Sequence, residues 1–332
     1  MVASGAWTQI EAAPAQPRSG RAALTIDGHD ASSGSRSPRP AAARLRRHSR
    51  PVLGALDAGG VALQRSAGAA ILGAAAFIVP VMVINLVLTR AAFEHFSSLD
   101  DSVVSVSQLI TGVDAATGVE TVVTYLALVA SSLSVALAGA YVTLLLVRRV
   151  LGQEDRPIRC LRTVLSRLPA IVMAWAIAHS WVLLADIVAA RASVRDLAPF
   201  AVFLVPAVVW MVGVTVFVMP VVVVERLGPW RGVRRALRLA RARGGQVFAF
   251  SCACILVGGG LRLVVAALPR ELEWTGLISF GRFGWLAEGL AAQFAQLLVV
   301  PLIGLSSASL YLQVRMDAEG LDLAVEAGRA FP

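Results

Sequence analysis

The sequence predicts an all-α fold: a polytopic membrane helical bundle of six transmembrane helices with short cytoplasmic interfacial amphipathic helices, arranged as three hairpin-like repeats. Three observations lead to this prediction. Long apolar segments recur six times, arginines gather at alternate ends of those segments, and a basic helical segment precedes every second one. The chain is 57% hydrophobic and only 15% charged, whereas soluble domains carry about 25% charged residues.

The six apolar segments have the length that a membrane-spanning helix needs, which is roughly 20 residues. They cover residues 67–88, 121–147, 168–190, 197–224, 246–268 and 288–314. We therefore expect one transmembrane domain over residues 51–315. An N-terminal arm at 1–50 precedes it, and a short cytoplasmic tail at 316–332 follows it.

The arginines indicate how the bundle is oriented. All 30 basic residues are arginines, and 24 of them lie before segment one, after segments two and four, or in the C-terminal tail. The others are Arg90, Arg191, Arg195, Arg270 and Arg282 in the opposite loops, and Arg262 inside segment five. Because positively charged loops stay in the cytoplasm, both termini are expected inside. A composition rich in Arg and Ala without Lys is typical of a GC-rich bacterial genome, so the inner membrane is the expected location.

The arm at residues 1–50 differs from the rest of the chain. It is rich in Arg, Pro, Ser and Ala and has no apolar periodicity. We expect it to be disordered, because it cannot bury enough apolar surface to offset its chain entropy. It lacks the apolar core of a signal peptide. The alternative is a start codon further downstream, in which case part of the arm is not translated.

A repeat underlies the six segments. Each odd-numbered segment follows a helix-like stretch on the cytoplasmic side, at Leu53–Arg65, Pro157–Leu168 and Pro229–Arg243. Each stretch contains Leu-x-Arg near its end, as Leu63-Gln64-Arg65, Leu165-Ser166-Arg167 and Leu239-Ala240-Arg241. The chain therefore reads as three units, each an interfacial helix followed by a transmembrane hairpin.

The third stretch is the most strongly amphipathic. Pro229 suits its first helical position. Its apolar face holds Trp230, Val233, Ala236, Leu237 and Ala240, with Leu239 as an exception on the basic side. Such a helix is expected in the interfacial plane, with its apolar face in the acyl boundary. The arginines expected to contact anionic inner-leaflet lipid are Arg159, Arg162, Arg231, Arg234, Arg235, Arg238 and Arg241. The alternative is that these helices only anchor the bundle.

Two stretches resemble the signature of a known family. They are the run Pro220–Trp230, followed by Arg234–Leu239 and Gly244–Phe248, and the tail Leu310–Leu323. The family comprises uncharacterised bacterial six-helix integral membrane proteins, and it is similar to the membrane domain fused to some glycerophosphodiester phosphodiesterases. Gln313 stands where the closing motif usually has an aromatic or acidic residue. The resemblance covers about residues 53–325 and implies the six-helix fold but no activity. The soluble segments are too short for a phosphodiesterase domain.

The first of these motifs also has a physical interpretation. Glu225 ends segment four, where the helix dipole disfavours an anion. A tight turn through Gly228 and Pro229 would bring Arg231 or Arg234 within reach of its carboxylate. Glu225, Gly228 and Pro229 are therefore predicted to form a structural elbow that an ion pair holds. In the tail, Arg315 and Glu319 are spaced to pair along one helix.

Three ionisable residues fall at membrane depth in the outer third: Asp186, Arg262 and Glu288. Ionisable residues there mark candidate functional sites. Arg262 follows the glycine run 258–260, which can break a helix or admit a close neighbour. The cluster is predicted either to form a structural ion pair or to make a pocket for an anionic headgroup or solute.

Helix packing and catalysis can also be assessed from the sequence. Ser132, Ala136 and Ala140 recur every four residues and predict a packing face. Pro80, Pro206 and Pro301 are expected to permit kinks. A short interfacial helix is expected within 89–120. Cys160, Cys252 and Cys254 suggest small buried thiols rather than a metal site. No catalytic motif, cofactor site or metal site is predicted.

The sequence therefore favours a non-enzymatic scaffold or lipid-handling partner in the cell envelope. Membrane lipids are the expected partners, and other envelope membrane proteins are candidate partners. The net charge of +9 does not indicate nucleic-acid binding, because the arginines are tied to span ends, where anionic lipids account for them. A transporter of a small or anionic solute is the alternative. A membrane-embedded lipid enzyme that uses His179 and Asp186 is a third hypothesis.

Overall fold

The computed structural model describes residues 51–92, 118–150, 157–189 and 198–320, and these ranges contain helices without any strand. Nine α-helices follow one another in the described ranges: α1 (Pro51–Ala92), α2 (Gly118–Val150), α3 (Pro157–Ser166), α4 (Leu168–Ala189), α5 (Ala201–Val224), α6 (Pro229–Ala242), α7 (Gly244–Cys254), α8 (Gly260–Trp274) and α9 (Gly284–Glu319). Short 3-10 turns at Ala198–Phe200 and Gly281–Phe283 precede α5 and α9, and a π-helix at Ile255–Gly259 joins α7 to α8.

Within the described ranges, five helices are long and apolar enough to cross a membrane. They cover Val52–Val87, Tyr125–Val150, Val202–Val224, Gly244–Trp274 and Leu286–Glu319. The pair α3 and α4 passes the same criterion together but bends by 68° at its break, which gives up to six spans. The prediction of an all-α fold is therefore confirmed for the described residues, and the five apolar helices are compatible with a multi-pass membrane protein. The arm at 1–50 and most of the expected loop helix within 89–120 lie outside the described residues.

The long helices break where basic segments meet apolar ones. Ser66 has non-helical dihedral angles (φ −135°, ψ 28°) inside α1, and its hydroxyl donates a hydrogen bond to the Ala62 carbonyl over 2.7 Å. Arg243, between α6 and α7, has nearly the same conformation (φ −131°, ψ 43°). Arg167 separates α3 from α4. The irregular residue of α1 is thus Ser66 and not Pro80.

Glycines allow α1 to approach its neighbours closely. Gly59 lies against Ser306 of α9, and Gly73 lies against the ring of Tyr141 of α2, so a Cβ at either position would overlap the partner. The Tyr141 hydroxyl donates to the Ala69 carbonyl over 2.9 Å. Small residues let helix backbones approach in a membrane, where packing rather than hydrophobicity drives association. These contacts join α1, α2 and α9 into one unit.

The predicted packing face of α2 is confirmed. Ala136 and Ala140 are buried in the bundle core. Ser132 accepts a hydrogen bond from the indole N–H of Trp175 in α4 over 3.1 Å. The spacing of four residues therefore marks a contact face.

The two ends of the bundle are packed differently. One end of the bundle is called the arginine-rich end. It is formed by Arg65, Arg149, the α3–α4 break, the α5–α6 connection and the end of α9. Toward this end the helices are densely buried, and all residues from Leu305 to Leu312 are buried. At the opposite, far end, seven consecutive residues of α5, 202–208, are exposed. The far half of α5 therefore presents apolar side chains in all directions, as expected for contact with lipid.

Candidate functional site

The connection between α5 and α6 is a tight elbow at the arginine-rich end. The Glu225 N–H closes α5 by donating to the Val221 carbonyl over 3.0 Å. The Gly228 carbonyl accepts the Gly232 N–H over 2.8 Å at the start of α6, and Pro229 occupies the first turn of that helix. Between these two caps, Arg226 adopts a left-handed conformation with φ of 52°. The chain therefore reverses within four residues and presents Glu225 toward the bundle.

The Glu225 carboxylate accepts contacts from three side chains. Arg235 Nε donates to Oε2 over 3.2 Å. The Tyr311 hydroxyl donates to Oε1 over 2.9 Å, and Arg315 Nε lies 3.8 Å from the same oxygen. An ion pair at the elbow is present, but the predicted partners Arg231 and Arg234 were wrong. Both of those side chains are exposed, whereas Arg235 lies one helical position closer to the buried stripe of α6.

The last turns of α9 complete the network. Arg315 Nε donates to Glu319 over 2.9 Å, as the spacing along one helix predicted. Arg235 also pairs with Glu319, and Arg315 donates to the Tyr311 hydroxyl over 3.2 Å. We call Glu225, Arg235, Tyr311, Arg315 and Glu319 the elbow cluster. It holds two arginines and two glutamates, so its formal charges balance.

The charged members of the elbow cluster are largely withdrawn from solvent. The side chains of Glu225 and Arg315 are 11% and 12% exposed, and that of Arg235 is 22% exposed. Tyr311 is fully buried. A charge at such depth needs partners, because losing one leaves an uncompensated ion in a poorly solvated site. The cluster therefore fixes α6 relative to the end of α9.

A second ion pair ties the other end of α6 to α9. Arg243, at the break between α6 and α7, lies 3.8 Å from Asp317 through its guanidinium. Gly320 ends α9 in a left-handed conformation with φ of 65°, a common C-terminal cap. Both ends of the short helix α6 are thus connected to the last turns of α9.

The buried face of α6 packs on protein. Its buried residues are Gly232, Ala236, Leu239 and Ala240, and the helix packs against α4 and α5. The interpretation of Leu239 as an exception was wrong: it belongs to a regular stripe that includes Ala236 and Ala240. The amphipathicity of α6 therefore reflects, in large part, its packing on the bundle.

The opposite face of α6 presents arginines outward. Arg231, Arg234, Arg238 and Arg241 are exposed, while Arg235 is engaged in the elbow cluster. Trp230 is 60% exposed, and the Arg234 guanidinium lies 5.8 Å from its ring centroid. Four of the five predicted lipid-contact arginines of α6 are thus accessible.

Helix α3 shows the same division. Cys160 and Val164 are buried, and the helix packs against α2. Arg159 and Arg162 are exposed. Ile158 and Leu165 are exposed as well, Ile158 to 81%. Exposed arginines beside exposed apolar side chains match the headgroup boundary of a bilayer, where both kinds of group find partners.

The three predicted intramembrane residues do not share one environment. Arg262 is exposed on α8, whereas Glu288 is buried at 9% exposure on α9. The side chain of Asp186 lies outside what the structure describes. The structural ion pair and the anion pocket predicted around Arg262 therefore both stay predictions. The glycine run before it forms part of the π-helix, and Gly258 lies directly against Ile303 of α9.

Polar side chains inside the bundle mainly join helices. Asn85 donates to the Ser131 hydroxyl over 2.8 Å, linking α1 to α2. The Trp181 indole donates to Thr215 over 3.4 Å, linking α4 to α5. His179 Nδ1 lies 3.0 Å from the Trp175 carbonyl one turn earlier. Within the described ranges, no group of three His, Cys, Asp or Glu residues could hold a metal ion.

The sequence indicates several members of the elbow cluster, but it does not predict that they contact one another. Tyr311, Arg315 and Glu319 recur every four residues and so share one face of α9, which is a signal that the sequence contains. Arg235 was assigned to lipid with its neighbours, although it lies closest to the buried stripe. Neither a family model, nor a curated protein, nor a solved structure matches this chain.

Proposed function

We propose that this chain is a six-span protein of the bacterial inner membrane and acts as a non-enzymatic scaffold or lipid-handling partner in the cell envelope. Both termini and the arginine-rich end face the cytoplasm in this proposal. The alternation of arginines along the sequence supports this orientation. The 68° bend between α3 and α4 supports α3 as an interfacial helix, with α4 as the sixth span.

The observation that carries the proposal is the set of exposed arginines at one end of the bundle. Six are accessible on two short helices: Arg159, Arg162, Arg231, Arg234, Arg238 and Arg241. Each would gain about 1 kcal/mol near an anionic leaflet. Trp230 and Ile158 stand exposed on the same helices and suit the headgroup boundary. These helices would hold the arginine-rich end on anionic lipid.

The elbow cluster supports a scaffold role. It links α5, α6 and α9 through partly buried ion pairs, and the pair Arg243–Asp317 adds a second link. The basic face of α6 would therefore be presented at a fixed angle to the bundle. The repeat of three units also belongs to this proposal, and the breaks at Ser66, Arg167 and Arg243 support it. The sequence resemblance likewise favours a membrane module.

Lipid retention tests this function. The protein is purified from nanodiscs of mixed phosphatidylglycerol and phosphatidylcholine, and the retained lipids are quantified. The wild type should be enriched in phosphatidylglycerol, and a variant with Arg231→Gln, Arg234→Gln and Arg238→Gln should lose most of that enrichment. Arg262→Gln, an exposed arginine in the far half, serves as control and should leave it unchanged. Equal enrichment in all three proteins would contradict the proposal.

The scaffold role is tested by affinity purification from gently solubilised membranes. The wild type should recover the same membrane proteins reproducibly, and Glu225→Ala should reduce their yield because α6 loses its fixed orientation. Recovery of neither a reproducible partner nor anionic lipid would contradict this function.

One observation favours transport as a second candidate. The π-helix at Ile255–Gly259 interrupts a span close to the exposed Arg262, and such bulges often occur at functional sites. If the span is a moving part of a solute path, proteoliposomes should show solute-dependent flux that Arg262→Ala abolishes. Absence of flux across anionic solutes would reject this candidate.

A further inference from the structure

Arg167 and Arg226 lie at the same corner of the bundle. Arg167 directly precedes α4, and Arg226 lies two residues after the end of α5. Helices α4 and α5 are consecutive in the chain and pack against each other, and α6 packs against both. The start of α4 and the end of α5 therefore lie at the same end of the bundle, near α6, and each carries one of the two arginines.

The two guanidinium groups repel each other. Burial lowers the pKa of Arg167, and the nearby positive charge of Arg226 lowers it further. Arg167 lies at the break between α3 and α4, outside the five long apolar helices. Like charges that interact in this way disfavour each other, and a bound anion would relieve that repulsion.

No carboxylate in the described part of the chain forms an ion pair with either arginine. The acid next to Arg226 in sequence is Glu225, and its oxygens are occupied by Arg235, Tyr311 and Arg315. Glu319 is likewise held by Arg235 and Arg315. The elbow cluster is therefore satisfied within itself, and no carboxylate among the described residues neutralises Arg167 or Arg226.

The backbone of Arg226 gives an independent indication. Its φ of 52° lies in the left-handed region, which disfavours any residue with a Cβ, and it is the one non-glycine residue with positive φ among the described residues. Glycine would suit this position better. Strained conformations of this kind cluster at ligand-binding sites, where they position a side chain. Here the strained residue is an exposed arginine that interacts electrostatically with Arg167.

We propose that Arg167 and Arg226 together bind a phosphate-bearing anion. Guanidinium groups match phosphate oxygens with paired N–H donors, and two of them balance a phosphate dianion. The ligand is either the phosphate of an anionic lipid headgroup or a soluble phosphate compound. The first source rests on the membrane placement in the proposed function, and the second does not.

Three variants isolate the site. Arg167→Gln removes one donor fork. Arg226→Gly removes the other while relieving the left-handed strain, so the fold is preserved. Arg65→Gln is the matched control, because Arg65 is exposed at the same end of the bundle, carries the same charge and lies outside the lipid-contact arginines of α3 and α6. All are prepared as full-length protein in detergent.

The first measurement is the melting temperature during titration with inorganic phosphate, at ionic strength kept constant with sodium chloride. A ligand that binds only the folded state raises the melting temperature in proportion to its occupancy. The wild type and Arg65→Gln should respond alike, and the apparent affinity should fall at least tenfold in Arg167→Gln and Arg226→Gly. This result supports the site and identifies a soluble phosphate as able to fill it.

The second measurement is lipid retention by native mass spectrometry from nanodiscs containing phosphatidylglycerol. If phosphate has no effect but the wild type and Arg65→Gln retain one phosphatidylglycerol that Arg226→Gly lacks, the ligand is a headgroup. If both measurements leave the two site variants indistinguishable from Arg65→Gln, the proposal is overturned. Failure of the proposed function would be seen in a different measurement: the triple α6 variant would keep the phosphatidylglycerol enrichment of the wild type.

Discussion

Tyr311 donates its hydroxyl to the Glu225 carboxylate over 2.9 Å and so joins α9 to the elbow 86 residues earlier in the chain. The phenol is fully buried, and the carboxylate also pairs with Arg235. This contact places the centre of the elbow cluster inside the bundle. The stability of the cluster should therefore depend on the hydroxyl oxygen of Tyr311.

Removing that oxygen should destabilise the protein. Tyr311→Phe keeps the ring and its packing but leaves the carboxylate with one donor fewer, which costs roughly 1.5–3 kcal/mol for a bond to a charged group. The measurement is unfolding of the detergent-solubilised protein by increasing SDS fraction. Tyr125→Phe is the control, because Tyr125 is exposed. A loss no greater than that of Tyr125→Phe would contradict the role of Tyr311.

The partner of Glu225 can be identified energetically. A double-mutant cycle of Glu225→Gln and Arg235→Gln should be non-additive by about 0.5–3 kcal/mol, because the two side chains are in contact. The cycle with Arg234→Gln should be additive, since Arg234 is exposed and lies against Trp230. Coupling to Arg234 but not to Arg235 would show that the elbow is held differently in solution.

Relieving the left-handed residue should stabilise the fold. Arg226→Gly removes a Cβ penalty of about 1–2 kcal/mol, offset in part by the greater entropy of glycine in the unfolded chain. We expect a net gain of about 1 kcal/mol in phosphate-free buffer. The comparison is Arg231→Gly, which places glycine inside α6 and should cost roughly 0.5–1 kcal/mol. A loss of stability in Arg226→Gly would show that the left-handed backbone of Arg226 is not strained.

The contact between α1 and α2 gives a fourth test. Gly73→Ala forces a methyl group into the ring of Tyr141 and should cost roughly 1–3 kcal/mol as overpacking. Gly68→Ala, in the same helix, meets open space and should be neutral or stabilising by up to about 1 kcal/mol. Both are measured by thermal unfolding. Similar shifts for the two variants would contradict the close crossing.

Orientation in the membrane is tested by labelling single cysteines in a cysteine-free background. Arg238→Cys should react with an impermeant maleimide only after the membrane is opened, because the arginine-rich end is expected in the cytoplasm. Leu277→Cys, exposed in the turn after α8, should react in intact cells. The reverse pattern would invert the proposed topology.

Much of the architecture follows from local pattern. Segment length predicted the long helices, and the spacing of Arg315 and Glu319 predicted their pair, because both depend on residues within one helix. The partner of Glu225 depends on how α6 and α9 meet, and no local rule fixes that. Leu239 shows a second limit: periodicity identifies which face of a helix is apolar, but not whether protein or lipid covers it. The exposure of Arg262 is undetermined by sequence for the same reason.

Dense packing at one end and exposed apolar side chains at the other give the bundle unequal stiffness along its axis. In a bilayer, acyl chains would supply most of the contacts of residues 202–208 of α5, which are exposed in succession. Hydrophobic mismatch therefore acts mainly on the far leaflet, where helices can tilt to follow a thinner or thicker bilayer. Lipid chain length should shift amide exchange in the far halves while the arginine-rich halves keep their protection.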